Sequence, residues 1–242
     1  MTEATTPNRQ PATGKRRRRT RSGTDLSRDV YIDSAVNLIE MRGVGVLSAR
    51  TLAAAVGADP TALYRYFTGI DDVLLAVADR MIGIALDRWT PTDDWLTSLA
   101  NLARALYRVY ANEFPLTGTA IATRTTGLPN EIRAVEITIG LLRDGGFDVE
   151  AATRWFRSLS DFLLGQAMLD GAFTALPQQI QDADHDTWRG LPERLTPDDT
   201  PHAEAAAHHL RSMMLESSFE ASLELILAGL GVMARTSTEG GA

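Results

Sequence analysis

Four consecutive residues, Gly57-Ala58-Asp59-Pro60, constrain the fold of this chain more tightly than any other segment. Asp is a favoured N-cap. Pro suits the first position of a helix because its φ is already helical and its missing N–H costs no hydrogen bond. Gly is favoured just after a helix, and the sequence predicts a short preceding helix over 48–56. Two helices separated only by Gly57, Ala58 and the cap form a helix-turn-helix connection.

The second of these helices, predicted over 60–67, has two chemically different sides. At about 100° per residue, Leu63 and Phe67 fall within about 40° of each other, so we expect both to face the core. The same geometry places Thr61 and Arg65 nearly opposite them. A helix that is merely solvated would favour Lys and Glu on that outer side, so its composition indicates contact with another molecule.

The outer side carries residue types that read DNA. Arg can bind guanine, the small residues Thr61 and Ala62 allow close approach to thymine methyls, and flanking tyrosines can reach phosphates. The alternative is a surface helix whose aromatic rings lie along apolar surface. The sequence predicts a helix in a major groove, with the contact residues Arg50, Thr51, Thr61, Ala62, Tyr64, Arg65, Tyr66 and Thr68.

Charge is divided unevenly along the chain, whose net charge is −7. Residues 1–70 hold 11 basic and 6 acidic side chains, whereas residues 71–242 hold 13 basic and 25 acidic. A basic end joined to an acidic body indicates that only one end meets a polyanion. Within that end we expect a disordered arm to follow a phosphate backbone or enter a minor groove, the alternative being a solubilising tail. Its cations are Lys15, Arg16, Arg17, Arg18, Arg19 and Arg21.

The rest of the pattern is helical, without an alternating strand pattern long enough to name, so we predict an all-α fold. Residues 174–200 are rich in Gln, Asp and Pro and are predicted to be a long exposed loop. The predicted helices outside the helix-turn-helix cover 27–42, 70–88, 94–112, 115–123, 129–143, 149–173 and 202–234.

Several functional classes find no support in the sequence. There is no cysteine, which removes disulfides and thiolate metal sites and fits a reducing interior. His202, His208 and His209 have only loose metal-ligand spacing, so we expect neither metal nor cofactor. No phosphate loop or nucleophile elbow occurs, and nothing proposes an enzymatic reaction. No apolar run reaches the ~18 to 20 residues of a membrane span and no signal segment is present. We therefore expect a soluble, cytoplasmic protein without membrane contact.

The segments ARTLAAAVGADPTALYRYF (49–67) and GIDDVLLAVADRM (69–81) resemble the TetR family of transcriptional regulators. LLRDGGF (141–147), WFRSLSDFLLG (155–165) and FEASLELILAGL (219–230) resemble the regulatory domain of the subgroup closest to the tetracycline repressor. The resemblance implies an all-α homodimer whose N-terminal three helices bind a double-stranded DNA operator. It also implies a larger C-terminal helical bundle that binds a small effector and dimerises.

These implications divide the chain into four parts. We expect an arginine-rich arm over 1–24, a helix-turn-helix domain over 25–70, an effector-binding and dimerisation domain over 71–236, and a flexible tail over 237–242. The family commonly has a Lys at the start of the fourth helix that touches the DNA backbone, and this chain has Ile70 there. By the same resemblance, Arg50 contacts a base from the second helix and Tyr64 contacts a phosphate.

The resemblance implies an effector pocket inside the C-terminal bundle. No histidine precedes His185, so a His-assisted magnesium–tetracycline site is not reproduced, and we expect a largely apolar effector. Roughly a third of the bulky residues should line the pocket and the rest should be ordinary core. These residues are Trp95, Tyr107, Tyr110, Phe114, Trp155, Phe162, Met168 and Phe173.

The dimer is expected to form from helices near 149–173 and 208–233. The latter carries an apolar seam at helical spacing, suited to a four-helix interface, made of Phe219, Leu223, Ile226 and Leu230.

Two other functional classes stay open at this level. One is an all-helical enzyme or small-molecule-binding protein whose N-terminal helices serve as a lid. The other is a chromosome-associated protein that uses the arginine-rich arm to bind DNA without sequence preference. A repressor would prefer its operator over random DNA by ~10³ or more.

Overall fold

The computed structural model describes residues 26–239, and their side chains as far as residue 235. The arm predicted over 1–24, with its cations between residues 15 and 21, therefore lies outside the described residues. The prediction of an all-α fold is confirmed, because residues 26–239 form helices and turns without a strand.

The N-terminal domain begins with α1 (Arg28–Arg42), which is followed by a single 3₁₀ turn (Val44–Val46) and α2 (Ala49–Ala55). Local capping explains where the helices start. The Ser27 hydroxyl accepts a hydrogen bond from the backbone N–H of Val30 at the start of α1. At the start of α2, Ser48 and Thr51 form a reciprocal capping box.

The helix after the turn, which we call the recognition helix, covers Pro60–Arg65 and is a 3₁₀ helix rather than the predicted α-helix. Its i→i+3 bonds include Ala62 N–H to the Asp59 carbonyl at 2.9 Å. A six-residue helix is too short for α-helical propagation to repay its nucleation cost, so tertiary packing decides its geometry. That packing comes from Leu63 and Phe67, which are buried as predicted.

The long helix α3 (Ile70–Arg88) leads from the N-terminal domain into the C-terminal one. It packs against α1 on one side and against later helices of the bundle on the other. At its start the Asp72 carboxylate accepts a hydrogen bond from the Thr68 backbone N–H at 2.9 Å. α3 therefore belongs to the cores of both domains.

The C-terminal domain is a bundle of helices wrapped around one another. α4 (Trp95–Tyr107) continues as one π-helical stretch (Arg108–Glu113), which closes with a bond from Phe114 N–H to the Val109 carbonyl. The next helices are α5 (Pro115–Ile121), α6 (Pro129–Asp144) and α7 (Val149–Thr174). α5 packs between α7 and the π-helical stretch.

The last part of the chain differs from prediction in two places. Residues 174–200 are not one loop, because they contain α8 (Gln178–Gly190) and a 3₁₀ turn (Leu191–Arg194). The predicted helix over 202–234 is three helices, α9 (Pro201–Ala205), α10 (Ala207–Met213) and α11 (Phe219–Glu239). Because α8 buries no residue, it needs no apolar side, and its polar sequence is the same as that expected of an exposed loop. α11 also extends past residue 236, where the flexible tail was expected to follow.

Two further properties concern residues 26–239 only. No helix there has the length and hydropathy to cross a membrane. Over the same residues, His, Asp and Glu side chains do not gather in groups of three that would hold a metal ion.

Candidate DNA-binding surface and effector cavity

Five of the eight predicted contact residues in the described part of the chain are exposed on the recognition helix, on α2 or just beyond: Arg50, Thr61, Tyr64, Arg65 and Thr68. The Tyr64 side chain is 61% exposed although it is aromatic. Neither Arg50 nor Arg65 takes part in a salt bridge within residues 26–235. The surface therefore presents two arginines and an aromatic ring to solvent, ready to contact an anion.

The threonine hydroxyls on this surface are engaged in helix capping. Thr51 is half-buried, and its hydroxyl donates to the Val46 carbonyl at 2.8 Å. The Thr61 hydroxyl donates to the Asp59 carboxylate at 2.6 Å, while the Thr61 backbone N–H donates to the same oxygen. Thr51 thus organises the start of α2, and the Thr61 hydroxyl is held at the start of the recognition helix.

Two of the predicted contact residues are not freely exposed in the structure. Ala62 is only 6% exposed and packs inside the domain. The Tyr66 hydroxyl donates to the Leu26 carbonyl at 2.7 Å, and the Tyr66 ring lies 5.7 Å from that of Tyr31. Tyr66 therefore ties the recognition helix to the start of α1, and its hydroxyl is not directed at a phosphate.

Arg28 supports this surface, and we did not predict it. Its guanidinium lies 4.4 Å from the centre of the Phe67 ring and donates to the Tyr66 carbonyl at 3.0 Å. It also lies 3.7 Å from an Asp72 carboxylate oxygen at the start of α3. One arginine thus joins α1, the end of the recognition helix and α3. An isolated Arg in the first turn of a helix carries no sequence signal for this role.

The C-terminal domain contains a cavity of about 820 Å³ between α4, α5, α6 and α7. Two of the eight predicted effector-binding residues, Tyr110 and Met168, line it. The lining that we did not predict consists mainly of ordinary aliphatic core residues, which carry no distinguishing signal in the sequence. It includes Leu99, Leu102, Leu106, Ile121, Val135, Phe156, Leu159, Leu163 and Leu164.

The other six predicted residues lie outside this cavity and pack elsewhere: Trp95, Tyr107, Phe114, Trp155, Phe162 and Phe173. Tyr107 stacks on Phe219 with ring centres 3.7 Å apart, and Phe162 stacks on the same ring from 5.9 Å. Trp95 packs edge-on against Phe147. These rings hold α11 and the end of α6 to the bundle. The size of a side chain alone therefore does not show whether it lines the cavity or packs between helices.

A hydrogen-bonded cluster fixes Tyr107 in place. Its hydroxyl lies 2.6 Å from the Asp170 carboxylate, which also accepts from Ser217 and Gln166. Burial, and then the bond to Asp170, raise the pKa of Tyr107 to about 12. The cluster joins α4, α7 and the residues just before α11.

Tyr110 is different, although it lies only three residues further on. It is 4% exposed, and its hydroxyl has no hydrogen-bond partner among the described residues. Burial raises its pKa well above the ordinary range, and the negative charges of Glu131 and Asp79 raise it further. The side chain therefore stays neutral and keeps a free donor at the cavity wall.

The cavity is connected to the N-terminal domain through α5. At the start of α5 the Thr117 backbone N–H donates to the Glu40 carboxylate of α1 at 2.7 Å. At its other end Ile121 lines the cavity. Arg124, which follows α5 and also lines the cavity, pairs with Asp71 of α3 at 2.7 Å. The first contact joins the start of α5 to α1, and the second joins the cavity wall at Arg124 to α3.

Comparison with protein families matches both domains. Residues 32–77 match the model of bacterial regulatory proteins of the tetR family. Residues 89–234 match the tetracyclin repressor-like C-terminal domain. The first matched region ends within α3, at residue 77, and the second begins directly after α3, at residue 89.

Individual relatives agree with these matches. A helix-turn-helix-type transcriptional repressor of Mycobacterium tuberculosis is 27% identical over 246 residues, which cover 95% of this chain and 89% of the relative. The class C tetracycline repressor protein of Escherichia coli is 27% identical, with 88% of this chain and 94% of that protein covered.

Solved structures give the same result. A possible TetR family transcriptional regulator from Streptomyces coelicolor A3(2) superposes with a TM-score of 0.70 at 29% identity, covering 86% of this chain and 100% of that one. The S. coelicolor TetR family protein ActR, in complex with actinorhodin, gives a TM-score of 0.71 at 25% identity, covering 85% and 95%.

Proposed function

The chain belongs to the TetR family of bacterial transcriptional regulators, which are DNA-binding proteins and not enzymes, and we propose that it is a repressor released by a small-molecule effector. Two copies would bind a palindromic operator, with their recognition helices in successive major grooves about 34 Å apart. The proposed location is the cytoplasm, where the DNA is.

The observation that carries this proposal is the presence of two complementary sites in one chain. The recognition surface exposes Arg50 and Arg65 on helices whose opposite sides are anchored by Leu52 and Leu63, both fully buried. The cavity of the second domain has an apolar lining suited to a small molecule. A lid over an enzyme site would not need exposed arginines on its outer face.

The proposed coupling follows the contacts between the two sites. An effector that displaces Ile121 or Arg124 shifts α5 against Glu40 and α3, which changes the separation of the two recognition helices. By linkage the effector must bind better to the state that releases DNA, and DNA must weaken effector binding by the same factor.

Dimerisation is proposed through α7 and α11, but on a different seam from the one predicted. Phe219, Leu223 and Leu230 are buried within the protomer. The outward stripe of α11 contains Leu225, which is 76% exposed, and Val232, which is 52% exposed, seven residues apart and thus on one face. An exposed apolar stripe of this kind suits a helix-on-helix interface.

Electrophoretic mobility shift with the DNA flanking the chain's own gene tests the repressor proposal. We expect a retarded complex that specific DNA displaces far better than random DNA, by ~10³ or more. Equal competition by both would favour the non-specific chromosome-associated alternative. Absence of any complex at low salt would favour a helical small-molecule-binding protein.

A further inference from the structure

The hydroxyl of Tyr110 lies at the wall of the cavity of about 820 Å³ and has no hydrogen-bond partner among the described residues. The side chain is 4% exposed, but its oxygen is not fully enclosed and faces the cavity space. Native proteins leave few polar groups without a partner in an apolar interior. The hydroxyls of Tyr31 and Thr117 are also unpartnered, but neither residue lines the cavity. The unpaired donor at Tyr110 is thus placed where a ligand can satisfy it.

The charged residues around the cavity already have ion-pair or hydrogen-bond partners within the protein. Arg157 and Asp161 pair with each other at 2.7 Å, and both are exposed. Arg124 pairs with Asp71. The Glu131 carboxylate accepts from the backbone N–H of Thr126, at 2.7 Å, and also from that of Gly127. None of these groups needs a ligand charge, so they add no requirement for a cation or an anion.

The other buried hydroxyl of the wall is also satisfied. Thr138 is 7% exposed and donates to the Ala134 carbonyl at 2.8 Å. The interior therefore offers a ligand an aliphatic surface, the phenolic donor of Tyr110 and the half-buried hydroxyl of Ser160, which also has no partner among the described residues. A phenolic hydroxyl can donate to a neutral carbonyl or to a carboxylate. The field of Glu131 and Asp79, which opposes negative charge at this point, disfavours the carboxylate.

We infer that the effector is a neutral, mainly apolar molecule that carries a carbonyl or similar acceptor, which receives the Tyr110 hydroxyl proton. The inference rests on the proposed function, because it names the chemical class of the effector for that same cavity. It predicts that Tyr110 selects ligands by their acceptor group. The aliphatic wall contributes affinity equally to ligands with and without that group.

Three probes of similar shape test the inference by isothermal titration calorimetry on the full chain: benzophenone, diphenylmethane and diphenylacetate. They carry a neutral acceptor, no polar group and a carboxylate, respectively. We expect Tyr110→Phe to weaken benzophenone about tenfold, the value of one neutral hydrogen bond, and to leave diphenylmethane within about twofold. Diphenylacetate should bind the wild type more weakly than benzophenone does.

Tyr107→Phe is the matched control, because it removes the same hydroxyl from a tyrosine outside the cavity. It should leave all probe affinities unchanged. A second readout needs no variant: the carbonyl stretch of benzophenone bound to the wild type should lie at lower wavenumber than in cyclohexane.

Three results would overturn the inference: equal losses for benzophenone and diphenylmethane, tightest binding by diphenylacetate, or no binding of benzophenone. Operator binding is measured separately by mobility shift without any probe. A failure here with intact operator binding removes the effector class alone, whereas loss of operator binding removes the proposed function.

Discussion

At the residue scale, Arg50 and Arg65 are exposed on the DNA-binding surface, and neither forms a salt bridge within the described residues. Replacing Arg65 with Ala should weaken operator binding by ~1 to 3 kcal/mol and relax sequence preference, because a lost base contact affects one sequence more than others. Arg50→Ala should behave in the same way. Fluorescence anisotropy with operator and random duplexes measures the operator affinity and the preference for operator over random DNA.

Arg189 provides the control for these variants, since it is an exposed arginine on α8 paired with Asp186 and distant from the recognition helix in sequence and domain. Arg189→Ala should leave both affinities unchanged. If Arg65→Ala weakens operator and random DNA equally, Arg65 contacts phosphate and does not read a base.

Tyr107 allows a pH-dependent test of the packing between α4, α7 and the start of α11. Its folded pKa of about 12 lies above its ordinary value of 10.0. The folded state therefore favours the protonated form, and this stabilisation is fully present below pH 10 and is lost as the pH rises towards 12. Near neutral pH, Tyr107→Phe should lower the free energy of unfolding by about 1.5 to 3 kcal/mol, the range for a hydrogen bond to a charged group.

Urea denaturation at a series of pH values checks this prediction. The difference between wild type and Tyr107→Phe should shrink between pH 10 and 12. Tyr31 and Tyr110 titrate in both proteins, so they cancel in the comparison. A difference that stays constant with pH would mean that the Tyr107 hydroxyl does not stabilise the fold through its protonated form.

At the scale of elements, α5 depends on a close approach that only glycine permits. A Cβ built at Gly118 would overlap the backbone carbonyl of Tyr110 in the π-helical stretch. Gly118→Ala should therefore lower the free energy of unfolding by about 1 to 3 kcal/mol or more, because backbone cannot move aside as a flexible side chain does.

The matched control for this change is Gly140→Ala in α6, where an added Cβ meets nothing within 4 Å. That variant should raise the free energy of unfolding by about 0.5 to 1 kcal/mol, since Ala favours a helix interior over Gly. Thermal or urea denaturation followed by circular dichroism measures both. Similar effects from the two variants would show that α5 does not need its close contact with Tyr110.

At the scale of the whole molecule, the contact between Glu40 and Thr117 links the two domains. Glu40→Ala should reduce the factor by which benzophenone weakens operator binding, while each binding step persists when measured alone. Glu136, exposed on α6, provides the control variant Glu136→Ala, which should leave the factor unchanged. An unaltered factor in Glu40→Ala would place the coupling entirely in α3.

A second prediction for the whole molecule concerns the basic segment before residue 26 and its effect on DNA binding. Deleting residues 1–24 should weaken binding to all DNA sequences and flatten its salt dependence, because each phosphate contact adds about 0.9 to the slope of log K against log salt. Mobility shifts over a range of salt concentrations measure that slope. A slope that does not change would identify the segment as a solubilising tail without a DNA contact.

Much of the N-terminal domain followed from the sequence alone because its determinants are local. The caps at Ser27, Ser48 and Asp59 act on backbone groups two or three residues away. The burial of Leu63 and Phe67 follows from their spacing. The helix after Pro60 has only six residues, however, so packing decided its 3₁₀ winding and withdrew Ala62 from the outer surface.

Tertiary packing decides which residues line the cavity of the C-terminal domain. Tyr107 and Tyr110 are of the same residue type, three positions apart, yet one is fixed by Asp170 and Phe219 and the other faces the cavity without a partner. Both contacts of Tyr107 come from residues more than 60 positions later in the chain. Local sequence determines where helices begin and which side is apolar. The packing of helices that are distant in the chain determines which apolar residues contact another helix and which line a cavity.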